Sequence, residues 1–354
     1  MEISSKSRIN GEEQLNISRI PRRGYVKQRT PIESLPTLSR AIGGKVNVLI
    51  KRDDLLPGAG GGNKTRKLDY LMQEALDAGC DSIITWGAVQ SNHCRLTLDC
   101  ANREGLACHL LLEERVPGSY DPRNSTNNFL YRLLGASSTK VVPGGTDMLA
   151  AARQRAAEIR EQGGKPYIVQ IGASTAIGAV GYAVCALEMV SQLVDMQHAV
   201  DHVVISSGSS GSQAGLVAGL AGMNSDIRVH GICAGRSKDV QEGLVYSLAN
   251  ETAALLGLTR EVPKEAVICY DDYIGPGYSL PTDEMVAAVT LVARTEGILL
   301  DPTYTGKAMA GLIDHVQKGT FAEGSTVLFV HTGGALSLYD KTEYFWKHLD
   351  ERYP

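Results

Sequence analysis

The chain has no C-x-x-C pair, and its seven cysteines (Cys80, Cys94, Cys100, Cys108, Cys185, Cys233 and Cys269) are odd in number. Most of them sit in apolar stretches, where a free cysteine behaves as a small hydrophobe. A disulfide scaffold is therefore excluded, and a reducing, cytoplasmic compartment is expected. Histidine and cysteine stand next to each other at His93-Cys94 and at Cys108-His109, but the two pairs do not lie at zinc-ligand spacing, so no metal site is expected. Lysines and arginines form no block and do not interleave with aromatics. With a net charge of only −4, nucleic acid is excluded as a partner. No apolar run is expected to reach bilayer-spanning length. Residues 1–16 are polar and of mixed charge, without an apolar signal core.

What the sequence does contain is a regular alternation. Short apolar runs at 46–50, 82–85, 107–112, 140–142, 167–171, 202–206, 228–233 and 326–330 read as buried parallel strands. Helical patterns lie between them, at 67–78, 148–162, 179–196, 212–221, 239–256, 282–296 and 306–318. The alternation predicts an α/β fold with parallel sheets flanked by helices. Two glycine-rich turns into helices, near Gly62 and Gly208, predict two sheet domains with a cleft between them. The length of 354 residues suits one large or two medium domains.

Two segments carry chemistry. In the first, Gly60-Gly61-Gly62-Asn63-Lys64-Thr65-Arg66-Lys67 runs into a helical pattern. Glycines admit close backbone approach, a helix N-terminus favours anions, and a lysine amine can form a Schiff base with an aldehyde. A nucleotide P-loop is the rival reading. Gly58 stands at the right distance, but Asn63 replaces the final glycine of that motif. In the second, Ser206-Ser207-Gly208-Ser209-Ser210-Gly211-Ser212 follows an apolar strand and precedes a helix, which makes an anion cradle. Its spacing is not that of a dinucleotide fingerprint. Gln90-Ser91-Asn92-His93 reads as a polar strand-end turn, where α/β sheets place ligands. Asn92 offers an amide for a phenolate-type oxygen, and Ser91 offers a hydroxyl for substrate contact or proton relay.

Gly61 to Leu68 together with Gln90-Ser91-Asn92-His93 resembles the fold-type-II pyridoxal-phosphate enzymes, with a tryptophan synthase β-like fold. The branch it is most similar to contains D-cysteine desulfhydrase, L-cysteate sulfo-lyase and 1-aminocyclopropane-1-carboxylate (ACC) deaminase. Gly275-Pro276-Gly277-Tyr278, Asp301-Pro302-Thr303-Tyr304-Thr305-Gly306-Lys307 and His331-Thr332-Gly333-Gly334-Ala335 extend the resemblance in family order. The resemblance implies pyridoxal 5′-phosphate as the cofactor, a small amino-acid substrate and a homodimer. It implies a larger domain of residues 1–64 and 179–354 and a smaller one of 65–178. Lys64 matches the Schiff-base lysine and Asn92 the contact to the ring oxygen. Lys67, Ser207, Gly208, Ser209, Ser210 and Gly211 match the phosphate site, and Thr332 the neighbour of the pyridine nitrogen. Ser91, Tyr278 and Tyr304 match catalytic residues on the substrate side.

Thr305 stands where the deaminase branch carries glutamate, which argues against ACC as substrate and for loss of a β-sulfur group. Within the lyases, the 208–217 loop and the tyrosine turn look more like the cysteate enzymes. Sulfite release from L-cysteate is therefore expected ahead of sulfide release from D-cysteine. A further departure, Leu96-Thr97-Leu98 for Gln-Thr-Ala, has no assigned effect. Outside this class, the open alternatives are an NTPase and a non-catalytic ligand-binding protein on the same fold.

Overall fold

The computed structural model describes residues 15–123 and 126–349. Most of the polar N-terminal stretch read above lies outside them. The ten strands are β1 (Ile32–Ser34), β2 (Asn47–Lys51), β3 (Ser82–Ala88), β4 (Ala107–Glu114), β5 (Ser138–Pro143), β6 (Pro166–Val169), β7 (His202–Ser207), β8 (Arg228–Cys233), β9 (Val267–Tyr270) and β10 (Thr326–Val330). They form a six-stranded sheet of order β1-β2-β10-β7-β8-β9 and a four-stranded sheet of order β5-β4-β3-β6. Every pairing is parallel except that of β1 with β2. The expected α/β architecture with parallel sheets and flanking helices is what the chain adopts. All four strands of the smaller sheet come from residues 82–169.

The helices are α1 (Pro36–Ala41), α2 (Lys64–Asp77), α3 (Asn92–Arg103), α4 (Thr126–Leu133), α5 (Met148–Glu161), α6 (Ala176–Met196), α7 (Gly211–Gly222), α8 (Lys238–Leu255), α9 (Asp283–Glu296), α10 (Thr305–Gln317) and α11 (Glu343–Leu349). Successive residues of the large sheet point to opposite faces. Val203 and Ile205 pack with α6, α7 and α8, while Val204 packs with α9 and α10. Both faces are covered, which is why these strands read as unbroken apolar runs. In the small sheet, Ile83, Leu110 and Leu112 face α2 and α3, and Ile84, Trp86 and Leu111 face α5.

Three expectations need correction. First, α6 is 21 residues long and apolar enough to cross a membrane, although no run of that kind was expected; 61% of its apolar window is buried. It packs against α2, α7 and α8, so its apolarity is that of a core helix. Second, the large sheet carries two edge strands that were not expected, β1 of three residues and β9 of four. Third, 90–93 is not merely a turn. Ser91 caps α3, its Oγ accepting from the Cys94 N–H at 3.1 Å. The polar sequence of α3 hid a helix that is buried nearly throughout.

Close helix contacts position the site. A Cβ added at Gly181 of α6 would lie 2.2 Å from the Arg66 carbonyl oxygen, and one at Gly215 of α7 would lie 2.2 Å from that of Ala179. These glycines let α2, α6 and α7 approach almost backbone to backbone, so that the N-termini of α2 and α7 open onto one cleft.

Candidate active site

A cleft of about 350 Å³ lies where the C-terminal ends of both sheets meet. Its walls come from the segments after β2, β3, β4, β6, β7, β8 and β10, the position where open α/β sheets bind ligands. Lys64, Asn92 and Tyr304 on the walls begin or precede α2, α3 and α10, and Ser207 to Ser210 precede α7. Four helix N-termini thus turn their partial positive charge towards one space, which favours an anion.

Lys64 is half-buried, and its Nζ donates to Asn63 Oδ1 at 2.8 Å. Asn63, which sequence reading used only to reject a P-loop, also reaches across the cleft: its Nδ2 donates to Ser212 Oγ at 3.0 Å. Burial lowers the Lys64 pKa to about 8; Asp301 opposes the shift and Arg95 adds to it. The amine is therefore poised to be neutral just above physiological pH. The glycines before it serve the protein's own packing. A Cβ at Gly61, where φ is +66°, would fall 2.2 Å from the Asp54 carbonyl oxygen. Leu96, the departure from the family pattern, packs under Gly58 and Gly62 on the cleft wall.

Arg95 fixes the orientation of Asn92. Its Nη1 donates to Asn92 Oδ1 at 2.6 Å and to Asn127 Oδ1 at 2.5 Å, while its Nε donates to the Ala59 carbonyl at 2.7 Å. With the oxygen engaged, the Asn92 amide nitrogen is left as a donor on the cleft side, next to Gly334. Burial lowers the Arg95 pKa to about 10, and no carboxylate among the described residues bonds it. His93 is also on the wall and bonds Thr85 Oγ1 at 2.8 Å. Burial, then Lys64 and Lys67, hold it well below the usual histidine range, so it is neutral.

On the opposite wall the Tyr278 and Tyr304 hydroxyls lie 2.5 Å apart. Lys307 pins the turn that carries Tyr278 by donating to the carbonyls of Ile274 and Gly277 at 2.5 and 3.1 Å. Ser91, Asn92, Lys64, Ser207, Gly208, Ser209, Ser210, Tyr278, Tyr304 and Thr332 all line the cleft.

Two expected phosphate-site residues do not line it. Lys67 is buried one layer behind, where its Nζ donates to the Gly172 carbonyl at 2.8 Å and lies 3.3 Å from Ser174 Oγ. The Gly211 N–H donates to Ser174 Oγ at 3.2 Å, and a Cβ there would meet Ser174 Oγ at 2.7 Å and Lys67 Nζ at 3.0 Å. Ser174 in turn bonds Ser209 Oγ at 2.8 Å. Lys67 and Gly211 thus support the cradle from below. Thr305 is off the wall as well. Its hydroxyl donates to Asp301 Oδ1 at 2.7 Å and accepts from the Asp301 N–H at 2.8 Å, so it stabilises the turn before α10. Arg115 and Arg236, both on the cleft wall, were missed. Arg115 directly follows β4 and Arg236 stands three residues beyond β8, positions that mark ligand contacts in this class of sheet.

The chain matches the family described as "Pyridoxal-phosphate dependent enzyme" over residues 25–333, and it belongs to that family. It is 40% identical over 324 residues to a D-cysteine desulfhydrase of Salmonella paratyphi C (strain RKS4594), covering 92% of this chain and 97% of that one. It is 42% identical, with the same coverage, to a D-cysteine desulfhydrase of Klebsiella pneumoniae subsp. pneumoniae. Among solved structures it is similar to an ACC deaminase homologue, with a TM-score of 0.85 and 36% identity over 94% of this chain and 97% of the other. A pyridoxal 5′-phosphate-dependent aspartate racemase shares the fold, with a TM-score of 0.64 and 17% identity. Pyridoxal 5′-phosphate is therefore the cofactor. The donor set suits its parts: an amine of lowered pKa at Lys64, an amide donor at Asn92, and a cradle of small residues at 207–210 before a helix.

Proposed function

We propose that the chain is a carbon–sulfur lyase that removes a β-sulfur substituent from a small amino acid, giving pyruvate, ammonia and a sulfur anion. The observation that carries this reading is an amine of lowered pKa, Lys64, sharing a small cleft with the paired hydroxyls of Tyr278 and Tyr304. Lys64 holds the cofactor, which supplies the electron sink when bound, and then serves as the base that takes the Cα proton. Asn92 would donate to the cofactor's ring oxygen, Ser207 to Ser210 would hold its phosphate with Lys67 and Gly211 behind them, and Thr332 would be the residue near its ring nitrogen. Ser91 contacts the substrate carboxylate. Tyr278 and Tyr304 orient the β-substituent and donate towards the departing sulfur. In this reading residues 65–178 form the smaller domain, and the assembly is a homodimer.

The names of the relatives at 40 and 42% identity support D-cysteine as the substrate, with sulfide released. The cationic side chain of Arg115 in the cleft favours the second reading, L-cysteate with sulfite released. Incubation of the purified enzyme with D-cysteine, L-cysteate and ACC separates these, with keto acid, sulfide and sulfite assayed in parallel. Pyruvate from either sulfur amino acid supports the lyase. 2-Oxobutyrate from ACC at a comparable rate would reassign it, and no keto acid from any of the three would leave the non-catalytic binding protein as the better account.

A further inference from the structure

Arg115 stands one residue beyond the end of β4, and its backbone follows the loop that carries Ser91. Glu113 pairs with Ala88 in the strand register, and the Val89 N–H donates to the Glu113 carbonyl at 3.2 Å. The guanidinium is fixed from two sides. Its Nε donates to Glu113 Oε2 at 2.7 Å, and Glu113 Oε1 accepts the Gly145 N–H at 3.0 Å, so both oxygens of that carboxylate are engaged. Its carbon lies 5.0 Å from the centre of the Tyr278 ring, within cation–π range. No protein acceptor among the described residues bonds its two terminal nitrogens. A rigid, planar fork of N–H donors is thus held in the cleft beside the tyrosine that meets Tyr304. The other arginine on the wall, Arg236, is already bonded to the Gly208 carbonyl at 2.5 Å.

Resting on the lyase reading, we propose that Arg115 is the specificity-determining residue that binds an anionic β-substituent of the substrate, a sulfonate above a thiol. A guanidinium fork matches two oxygens of a tetrahedral or planar oxyanion at once. A thiol, with an ordinary pKa near 8.5, presents neither the oxygens nor a full charge at neutral pH. The glutamate leaves the charge of the pair near zero, so selection works through directed donors and not through a broad field. The rival assignment is that Arg115 binds the α-carboxylate, which every amino acid carries.

The test titrates the cofactor-loaded enzyme with cysteate and with alanine, each as both enantiomers, and reads binding from the cofactor's absorbance. Alanine keeps the amine and α-carboxylate and lacks the sulfonate. Cysteate should bind at least roughly tenfold more tightly than alanine, a ratio that needs only one charge-assisted contact. Arg115→Gln should bring the ratio to near one while alanine affinity holds, and Arg115→Lys should keep part of it. Equal affinities in the unmodified enzyme, or equal weakening of both ligands in Arg115→Gln, would overturn the assignment. Pyruvate assayed in the same samples separates the two claims. A preserved affinity ratio without pyruvate from any sulfur amino acid would refute the lyase and leave the anion contact standing.

Discussion

Two groups of buried charges sit within a few residues of each other on α2, and they differ in one respect. Around Arg66 every charge is paired. Arg66 bonds Asp53 at 2.7 Å and Glu188 at 2.8 Å, Lys51 bonds Glu188 at 2.5 Å, and the Tyr182 hydroxyl donates to Asp53 at 2.7 Å. Burial opposes the charge on Asp53, but Arg66 overrides it and holds the carboxyl below its usual range. Two cations and two anions close on themselves. Around Lys64 there is no such closure. Lys67 and Arg95 are buried and Lys64 is half-buried, with carbonyls, amides and hydroxyls as partners, and desolvation lowers all three pKa values. The first group ties α2 to β2 and α6. The second is a set of basic groups and donors to which no carboxylate is bonded among the described residues, with Asp301 acting on Lys64 without a hydrogen bond, and a phosphorylated cofactor would bring the missing anion. Paired charges here mark structure, and unpaired ones mark the site.

The largest effect should come from breaking the closed group. Arg66→Met leaves Asp53 and Glu188 short of a cation and should lower stability by about 3–5 kcal/mol in denaturant unfolding. A loss below about 1 kcal/mol would mean that the network is not holding α2 in place. Next, Tyr304→Phe should cut keto-acid formation by roughly a hundredfold, as expected for loss of a proton donor, while cofactor absorbance is unchanged. Loss of the cofactor in that variant would move Tyr304 to the binding side of the cleft. The cradle gives a finer test. Gly211→Ala clashes with Ser174 and Lys67, whereas a Cβ at Gly208 finds ordinary contact at 3.4 Å. Cofactor retention on dialysis should drop roughly tenfold for Gly211→Ala and by less than about threefold for Gly208→Ala. The reverse order would show that the supporting layer matters less than the wall.

The smallest effect concerns a third buried cluster, in which groups are held neutral. His202 and His230 bond at 3.1 Å, His230 meets Tyr270 at 3.2 Å, and His315 packs on Tyr270. Burial, and then neighbouring cations, push the His230 pKa down to about 3. The unfolded chain takes up that proton near pH 6.5 and the folded chain only near 3, so stability should decline as pH falls through this window. His230→Gln should flatten part of that slope between pH 6.5 and 5. An unchanged slope would show that the histidines do not set it.

Much of this was legible in the sequence. The runs at 228–233 and 326–330 coincide with β8 and β10 because strands buried on both faces leave continuous apolar runs. The cleft-lining set from Lys64 to Thr332 came largely from the motif resemblance. What was not legible depends on contact at long range. Glu188 lies 122 residues from Arg66, and no local pattern announces that pair. Lys67 and Gly211 carry the right chemistry, but their depth behind the wall is set by Ser174, a residue with no motif around it. α3 was hidden because its polar side chains are buried against the site and not against solvent. Arg115 could have been found by asking which charges follow a strand's C-terminal end.

The central claim is that Lys64, which bonds no carboxylate among the described residues, is the amine that captures the cofactor's aldehyde. Cofactor-free enzyme is mixed with pyridoxal 5′-phosphate between pH 6.5 and 10, quenched with borohydride and mapped by peptide mass. The account predicts a label on Lys64, with a capture rate that rises to a midpoint near pH 8, where its pKa is placed, and not near the ordinary lysine value of about 10.4. A label on Lys67 or Lys307, or a midpoint near pH 10, would contradict it.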